Sequence, residues 1–470
     1  MIWRRCSLFI GREKELQFLN QRYESPNSEL IVLYGRRRVG KTETLREFSQ
    51  GKDHVFYSCI ECTDSQQLNS FSSRVLQKDI PASKYITTFS DWEQAFSSIT
   101  ELKDTGKKLL IIDEFPYMVK ANRTIPSILQ NLWDLKLKDE NVMIILCGSA
   151  MSFIEKEILA EKNPLYGRAT GILKMNEMDF YDAIRFFPDY SALDKIRTYG
   201  ILGGIPHYLK QFDSQKSVGE NICRNVLQRG SILYSEVEFL MRQELRETTV
   251  YNTIIEAIAL GNTRLNDISQ KTQIERSKLM AYLKNLMNLG IIEREFSVTD
   301  SVKEQANTHR GLYKITDPFF RFWYAFVFPN MSELEAGDFE GVYKYIVEPQ
   351  LEEFISYVFE DVCRQYLRRE NQRGHLPFHF SQIGRWWNKT DEIDVMAVNR
   401  ERTAFMVGEC KFKNRAFELS EFEHTREKFT PSRKDADIYY FLFSKSGFSP
   451  KIEKNDSAVY LIDLDTITAE

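Results

Sequence analysis

Eight consecutive residues, Gly35-Arg36-Arg37-Arg38-Val39-Gly40-Lys41-Thr42, have the spacing of a loop that wraps the phosphates of a nucleotide. They follow an apolar run at 30–34, so the loop lies where its chemistry needs it, after a buried strand and ahead of a helix. The glycines let the backbone aim N–H groups at anionic oxygens, and a helix opening at Lys41 adds a favourable dipole. Lys41 is expected to reach the β- and γ-phosphates, and the Thr42 hydroxyl to ligate Mg²⁺. A second run, Leu109-Leu110-Ile111-Ile112-Asp113-Glu114, reads as a buried parallel strand ending in two carboxylates. Ligands of open α/β sheets bind outside that edge. Asp113 there can hold Mg²⁺, and Glu114 can polarise the water that attacks a γ-phosphate. ATP with Mg²⁺ is the expected ligand.

A further constellation lies near the C-terminus. Asp391-Glu392-Ile393-Asp394-Val395-Met396-Ala397-Val398 and Thr403-Ala404-Phe405-Met406-Val407-Gly408-Glu409-Cys410-Lys411 flank a polar turn. A hairpin centred between Glu401 and Arg402 sets Asp394 opposite Glu409, Met396 opposite Val407 and Val398 opposite Phe405. Period-2 alternation then adds Lys411 to the same face, beyond an apolar floor. Two adjacent buried carboxylates call for a cation. Mg²⁺ suits them, with Asp394 and Glu409 as ligands and positions left for water and a phosphate. Lys411 would orient the water in phosphodiester cleavage or neutralise charge on the pentavalent phosphorus. The plainer alternative is a solvated cross-strand pair on a surface hairpin.

These residues need a scaffold. Strand candidates at 30–34, 55–60, 109–112 and 142–147 alternate with helical segments, which argues an α/β fold with a parallel sheet. The expected domains are a P-loop core at 1–172, a helical lid at 173–246, a winged helix-turn-helix at 247–332 and an α/β domain at 333–470. Helices expected at 250–260, 264–272 and 275–289, then a β-wing from 291–296 and 311–315, define the third of these. Arg276, Lys278 and Lys284 fall on its second helix, where DNA contacts would originate. An intramolecular or protein-binding clamp is the other reading. The aromatic run Phe319, Phe320, Phe322, Trp323, Tyr324, Phe326, Phe328 is expected to be core.

Over 470 residues the net charge is −4, so a nucleic-acid partner would need a local basic surface. Seven scattered cysteines suit a reducing compartment, and Cys59 and Cys62 lack a partner pair at zinc-site spacing. Arg4 and Arg5 precede no apolar leader, and no 18-residue apolar stretch occurs. No membrane association and a cytoplasmic location are expected.

The N-terminal part resembles the archaeal-type ATPases of the STAND branch of AAA+-related P-loop proteins. The resemblance rests on Phe9-Ile10-Gly11-Arg12-Glu13-Lys14-Glu15-Leu16, the P-loop, Asp113-Glu114, Gly148-Ser149-Ala150, Tyr166-Gly167-Arg168 and Gly203-Gly204-Ile205-Pro206. The remainder resembles the uncharacterised region that accompanies this module, itself similar to PD-(D/E)XK, or restriction-endonuclease-like, nucleases. There the matching pieces are Asp317-Pro318-Phe319-Phe320-Arg321-Phe322-Trp323-Tyr324, Phe359-Glu360, Gly384-Arg385-Trp386-Trp387 and Glu409-Cys410-Lys411. The resemblance implies that Gly11 and Arg12 sit near the adenine, that Pro206 packs on it, and that Ser149 stands beside the γ-phosphate. Arg168 would sense that phosphate, in its own chain or a neighbour's, unless it is an ordinary surface arginine. Glu360 would join the second metal site. A helical wheel over 351–367, however, places Glu360 opposite the apolar stripe of Leu351, Phe354, Ile355, Val358, Val362 and Tyr366.

The expected function is an ATP-hydrolysing switch coupled to DNA binding and Mg²⁺-dependent phosphodiester cleavage. The alternative is an ATP-regulated binding or signalling protein with an inactive nuclease-like domain. A homo-oligomer is possible on either reading.

Overall fold

The computed structural model describes residues 9–102, 106–305, 311–431, 433–452 and 458–469; Arg4 and Arg5 lie outside them. The chain divides into two compact units: 1–178 with Ile205–His207, and 179–204 with 208–470. The segment 173–246 is therefore shared between them.

In unit 1, α1 (Glu13–Glu24) precedes β1 (Glu29–Tyr34), and α2 (Lys41–Ser49) follows it. Strands β2 (His54–Ser58), β3 (Lys108–Asp113), β4 (Val142–Gly148) and β5 (Gly171–Lys174) complete a parallel sheet in the order β2-β3-β4-β1-β5. Every residue of β1 and β4 is buried, as continuous Val/Ile/Leu runs covered on both faces require. Helices α3 (Phe115–Ala121) and α4 (Ile125–Leu135) lie in the connection from β3 to β4. Strand β5 has no counterpart among the sequence candidates. It is four residues long, at the sheet edge, with Ile172 exposed, so its hydrophobic signal is weak.

Unit 2 contains α5 (Ala192–Leu202), then three helices, α6 (Thr248–Ala259), α7 (Leu265–Thr272) and α8 (Arg276–Asn288). An antiparallel ribbon follows, β6 (Ile292–Glu295) with β7 (Leu312–Ile315). Helix α9 (Pro318–Phe322) opens the aromatic run, whose Phe319, Phe320, Phe322, Trp323 and Tyr324 are all buried. The long helix α10 (Glu348–Arg373) leads to a mixed sheet ordered β12-β11-β10-β9-β8. Its strands are β8 (Gln382–Trp387), β9 (Glu392–Val398), β10 (Ala404–Lys411), β11 (Asp437–Ser444) and β12 (Val459–Asp463), with α11 (Leu419–Glu427) between β10 and β11. The β8-β9-β10 pairings are antiparallel and the β10-β11-β12 pairings parallel.

The wheel reading of α10 holds for the stripe but is incomplete for the side that carries Glu360. Phe354 packs on Phe322 and Phe326, and Ile355 meets Gly200 of α5, so the apolar stripe is buried against helices. The opposite side is not solvent. Phe359 packs on Phe412, and Arg364 Nη1 donates to the Asp394 carbonyl at 2.8 Å, so that side meets the sheet. A helix between two layers buries both faces, and Glu360 belongs to the sheet-facing one. Among the described residues no helix is long and apolar enough to cross a membrane.

Candidate functional site

In unit 1 the loop after β1 is set by two glycines. A Cβ on Gly35 would stand 2.2 Å from the Met175 carbonyl oxygen, and Gly40 has φ 93°, a region that favours glycine. Helix α2 starts at Lys41. The Lys41 ammonium turns back to the carbonyls of Gly35 (2.8 Å) and Arg36 (3.0 Å). Burial lowers its pKa, against the opposing charges of Glu114 and Asp113. The Thr42 hydroxyl donates to Asp113 Oδ2 at 2.7 Å, and the Glu114 N–H donates to Oδ1 at 3.0 Å. Because β4 lies between β1 and β3, Ser149 emerges beside both. Its hydroxyl and N–H donate to Glu114 Oε2 at 2.9 and 3.3 Å. Glu114 itself takes a left-handed conformation, φ 51°.

Arg12, with φ 69°, donates from Nη2 to the Val39 carbonyl at 2.7 Å and pairs with Glu15, which ties the Gly11-Arg12 turn to the phosphate loop. Pro206 comes within 3.8 Å of where a Cβ on Gly40 would lie, and His207 Nε2 is 2.7 Å from Arg38 Nη1. Pro206 thus adjoins the loop. Arg168 is held elsewhere, on Asp134 of α4 at 3.0 Å.

In unit 2 the hairpin has the expected register, Phe405 opposite Val398 and Val407 opposite Met396, which makes Asp394 and Glu409 the next pair on that face. Asp394 Oδ2 accepts the Cys410 N–H at 2.8 Å. Burial and then the Glu409 charge raise the Asp394 pKa. Glu409, buried, accepts from Lys411 Nζ on Oε1 (2.5 Å) and from Lys428 Nζ on Oε2 (2.8 Å). Glu360 completes the group from α10. Burial, then the Asp394 charge, pushes its pKa up, opposed by Arg364 at 3.8 Å and Arg385 at 3.6 Å.

Sequence reasoning missed Lys428, Arg364 and the bridging by Arg385, which also meets Glu295 at 3.2 Å. Arg385 lay in a matched stretch and Arg364 on the helix at 351–367, but neither was read as a partner of the carboxylates. Lys428, at the end of α11, carries no spacing signal because its helix is placed by the fold.

Among the described residues no three or more His, Cys, Asp or Glu side chains converge as a metal cage. Mg²⁺ needs no such cage, since one or two carboxylates with water and phosphate suffice. The hard oxygens of Thr42 and Asp113, in contact, fit it. Asp394 and Glu409 fit by donor type, but a cation there must displace an ammonium from Glu409. On α8, Arg276, Lys278 and Lys284 are exposed.

Two family models match. One, an ATPase domain predominantly from Archaea, covers residues 9–212, and the other, archaeal and bacterial proteins of unknown function, covers 323–426. An uncharacterised protein of Methanocaldococcus jannaschii is 35% identical over 407 residues, 87% of this chain and 88% of that protein. An uncharacterised ATP-binding protein of the same organism is 44% identical over 45 residues, 10% of this chain and 76% of its own. The solved Walker-type ATPase of Pyrococcus abyssi is 22% identical, covers 67% of this chain and 96% of its own, and superimposes with a TM-score of 0.50, a likeness of fold.

Proposed function

The chain belongs to a family of archaeal P-loop ATPases that carry a C-terminal domain of unknown function, and from this we propose an ATP-driven switch acting on nucleic acid. The observation that carries the reading is the contact of Thr42 with Asp113 behind the phosphate loop. Lys41, now on loop carbonyls, would swing to the β- and γ-phosphates when ATP enters. Glu114, kept in place by Ser149, would orient the attacking water, and Ser149 would follow the loss of the γ-phosphate. Gly11, Arg12 and Pro206 would bound the nucleotide. Mg²⁺, held by Thr42 and Asp113 in one site and by Asp394 and Glu409 in the other, would neutralise phosphate charge and lower the pKa of bound water.

In unit 2 we read Asp394, Glu409, Lys411 and Glu360 as a PD-(D/E)XK-type cleavage site, with Lys411 orienting the water. The three helices and ribbon are read as a winged helix-turn-helix that brings DNA to it, and 333–470 as the nuclease-like domain. The measurement is phosphate release and DNA cutting by the full chain with Mg²⁺, with and without ATP. Cutting lost in Glu409→Ala and Lys411→Ala supports the reading, and cutting unchanged in both sinks it.

One observation favours the second reading, a binding domain without cleavage. Glu409 already has two ammonium partners. Magnesium titration of the full chain separates the two, because a non-cleaving domain would show no binding that Asp394→Asn removes.

A further inference from the structure

We propose that unit 2 holds a path for a single nucleic-acid strand that ends at Asp394, an inference that rests on the cleavage reading. A cleft of about 840 Å³ runs between the α6–α7 turn, β7, the aromatic helix and α10, and its wall includes Glu360 and Asp394. A cleft of that volume has room for a short stretch of one strand with its bases unstacked.

The wall has the two features that single strands require, an aromatic face and cations along the backbone. Tyr357 lines the cleft and is 53% exposed, and its ring is braced by the Arg321 guanidinium 4.5 Å away. Arg321 lies equally close to Phe354. Arg264, at the turn, is exposed and has no ion-pair partner among the described residues. The wall's carboxylates are not equally free. Asp361 is paired with Arg364 and Lys314, and Glu360 lies between Arg364 and Arg385. Glu392 is paired with Arg385, whereas Glu353 is exposed and, like Arg264, has no ion-pair partner among the described residues, so the wall offers one free cation and one free carboxylate besides Asp394. Arg264 would take a phosphate and Tyr357 a base, and Asp394 and Glu360, on the same wall, would receive the strand beyond them.

The test is fluorescence anisotropy of the full chain in EDTA, without nucleotide, using labelled oligo-dT, oligo-U and a duplex of equal length. Single strands should bind and the duplex should compete poorly. The two single strands distinguish DNA from RNA. Tyr357→Ala and Arg264→Glu should each weaken binding by about tenfold with the melting temperature of the parent, and only the arginine effect should fade at high salt. Tyr345→Ala, an exposed tyrosine outside the cleft wall, should change nothing. Absent binding, binding unaffected by both cleft variants, or a duplex that competes as well as the strand overturns the proposal. Strand binding with no cutting on addition of Mg²⁺ sinks the cleavage reading and leaves the path standing.

Discussion

Asp113 keeps its two oxygens on neutral donors, the Thr42 hydroxyl and the Glu114 N–H, and Glu114 is held by Ser149. Asp394 instead shares its surroundings with Glu360 and Glu409, ringed by Arg364, Arg385, Lys411 and Lys428. The first arrangement holds its carboxylates with neutral donors, which on the proposed reading suits an incoming phosphate and its Mg²⁺. The second buries several charges together, which costs several kcal/mol per ion unless each has a partner, so the protein supplies its own cations. The difference teaches that a carboxylate pair reads alike in sequence whether its counter-charge is to come from a ligand or already stands in the fold.

The contrast can be broken most forcefully in unit 1. Glu114→Gln should lower ATP turnover about 10²- to 10⁴-fold, the usual range for a lost proton-accepting group, while ATP binding persists. Phosphate release beside nucleotide binding by calorimetry reads both, and turnover within a few-fold of the parent would remove Glu114 from the chemistry.

Next in size is Lys428→Met. If Lys428 stands where a cation would otherwise act, removing it should tighten Mg²⁺ binding about tenfold, equivalent to about 1.4 kcal/mol. Weaker binding in calorimetric titration would instead make Lys428 part of the holding structure.

The smallest effect concerns how α10 is anchored. Burial pushes the Glu352 pKa up, but hydrogen bonds from Lys445 and Arg197 outweigh it and hold the group below its ordinary value. A lowered folded-state pKa contributes stability that is full above the unfolded value, about 4.3, and disappears as pH falls through the folded one. Glu352→Gln should therefore destabilise by about 1 kcal/mol near pH 7, with the difference fading below about pH 4. Thermal melts across that range decide it, and an equal deficit at low pH would mean lost packing rather than lost charge.

Legibility followed locality. The phosphate loop, Asp113-Glu114 and the core strands were readable because each is a short run whose period and composition carry the signal. The hairpin register came from the same logic, with only one turn between its strands. Strand β5 escaped because an edge strand of four residues shows little alternation. The wheel set Glu360 opposite the apolar stripe, where it stands, but gave no sign that this side also meets a layer, because a wheel assumes one buried face and α10 has two.

What the sequence by itself determined is the chemistry available: glycines where the backbone must turn, a lysine and threonine for phosphate, carboxylates at strand ends. Those depend on residues adjacent in the chain, and adjacency is what a sequence records. The tertiary structure alone decided that Lys428 meets Glu409, that Arg385 bridges the ribbon to Glu360, and that Arg168 rests on Asp134. Such partners lie on separate elements, and which element covers a charge follows from packing whole faces together rather than from any local pattern.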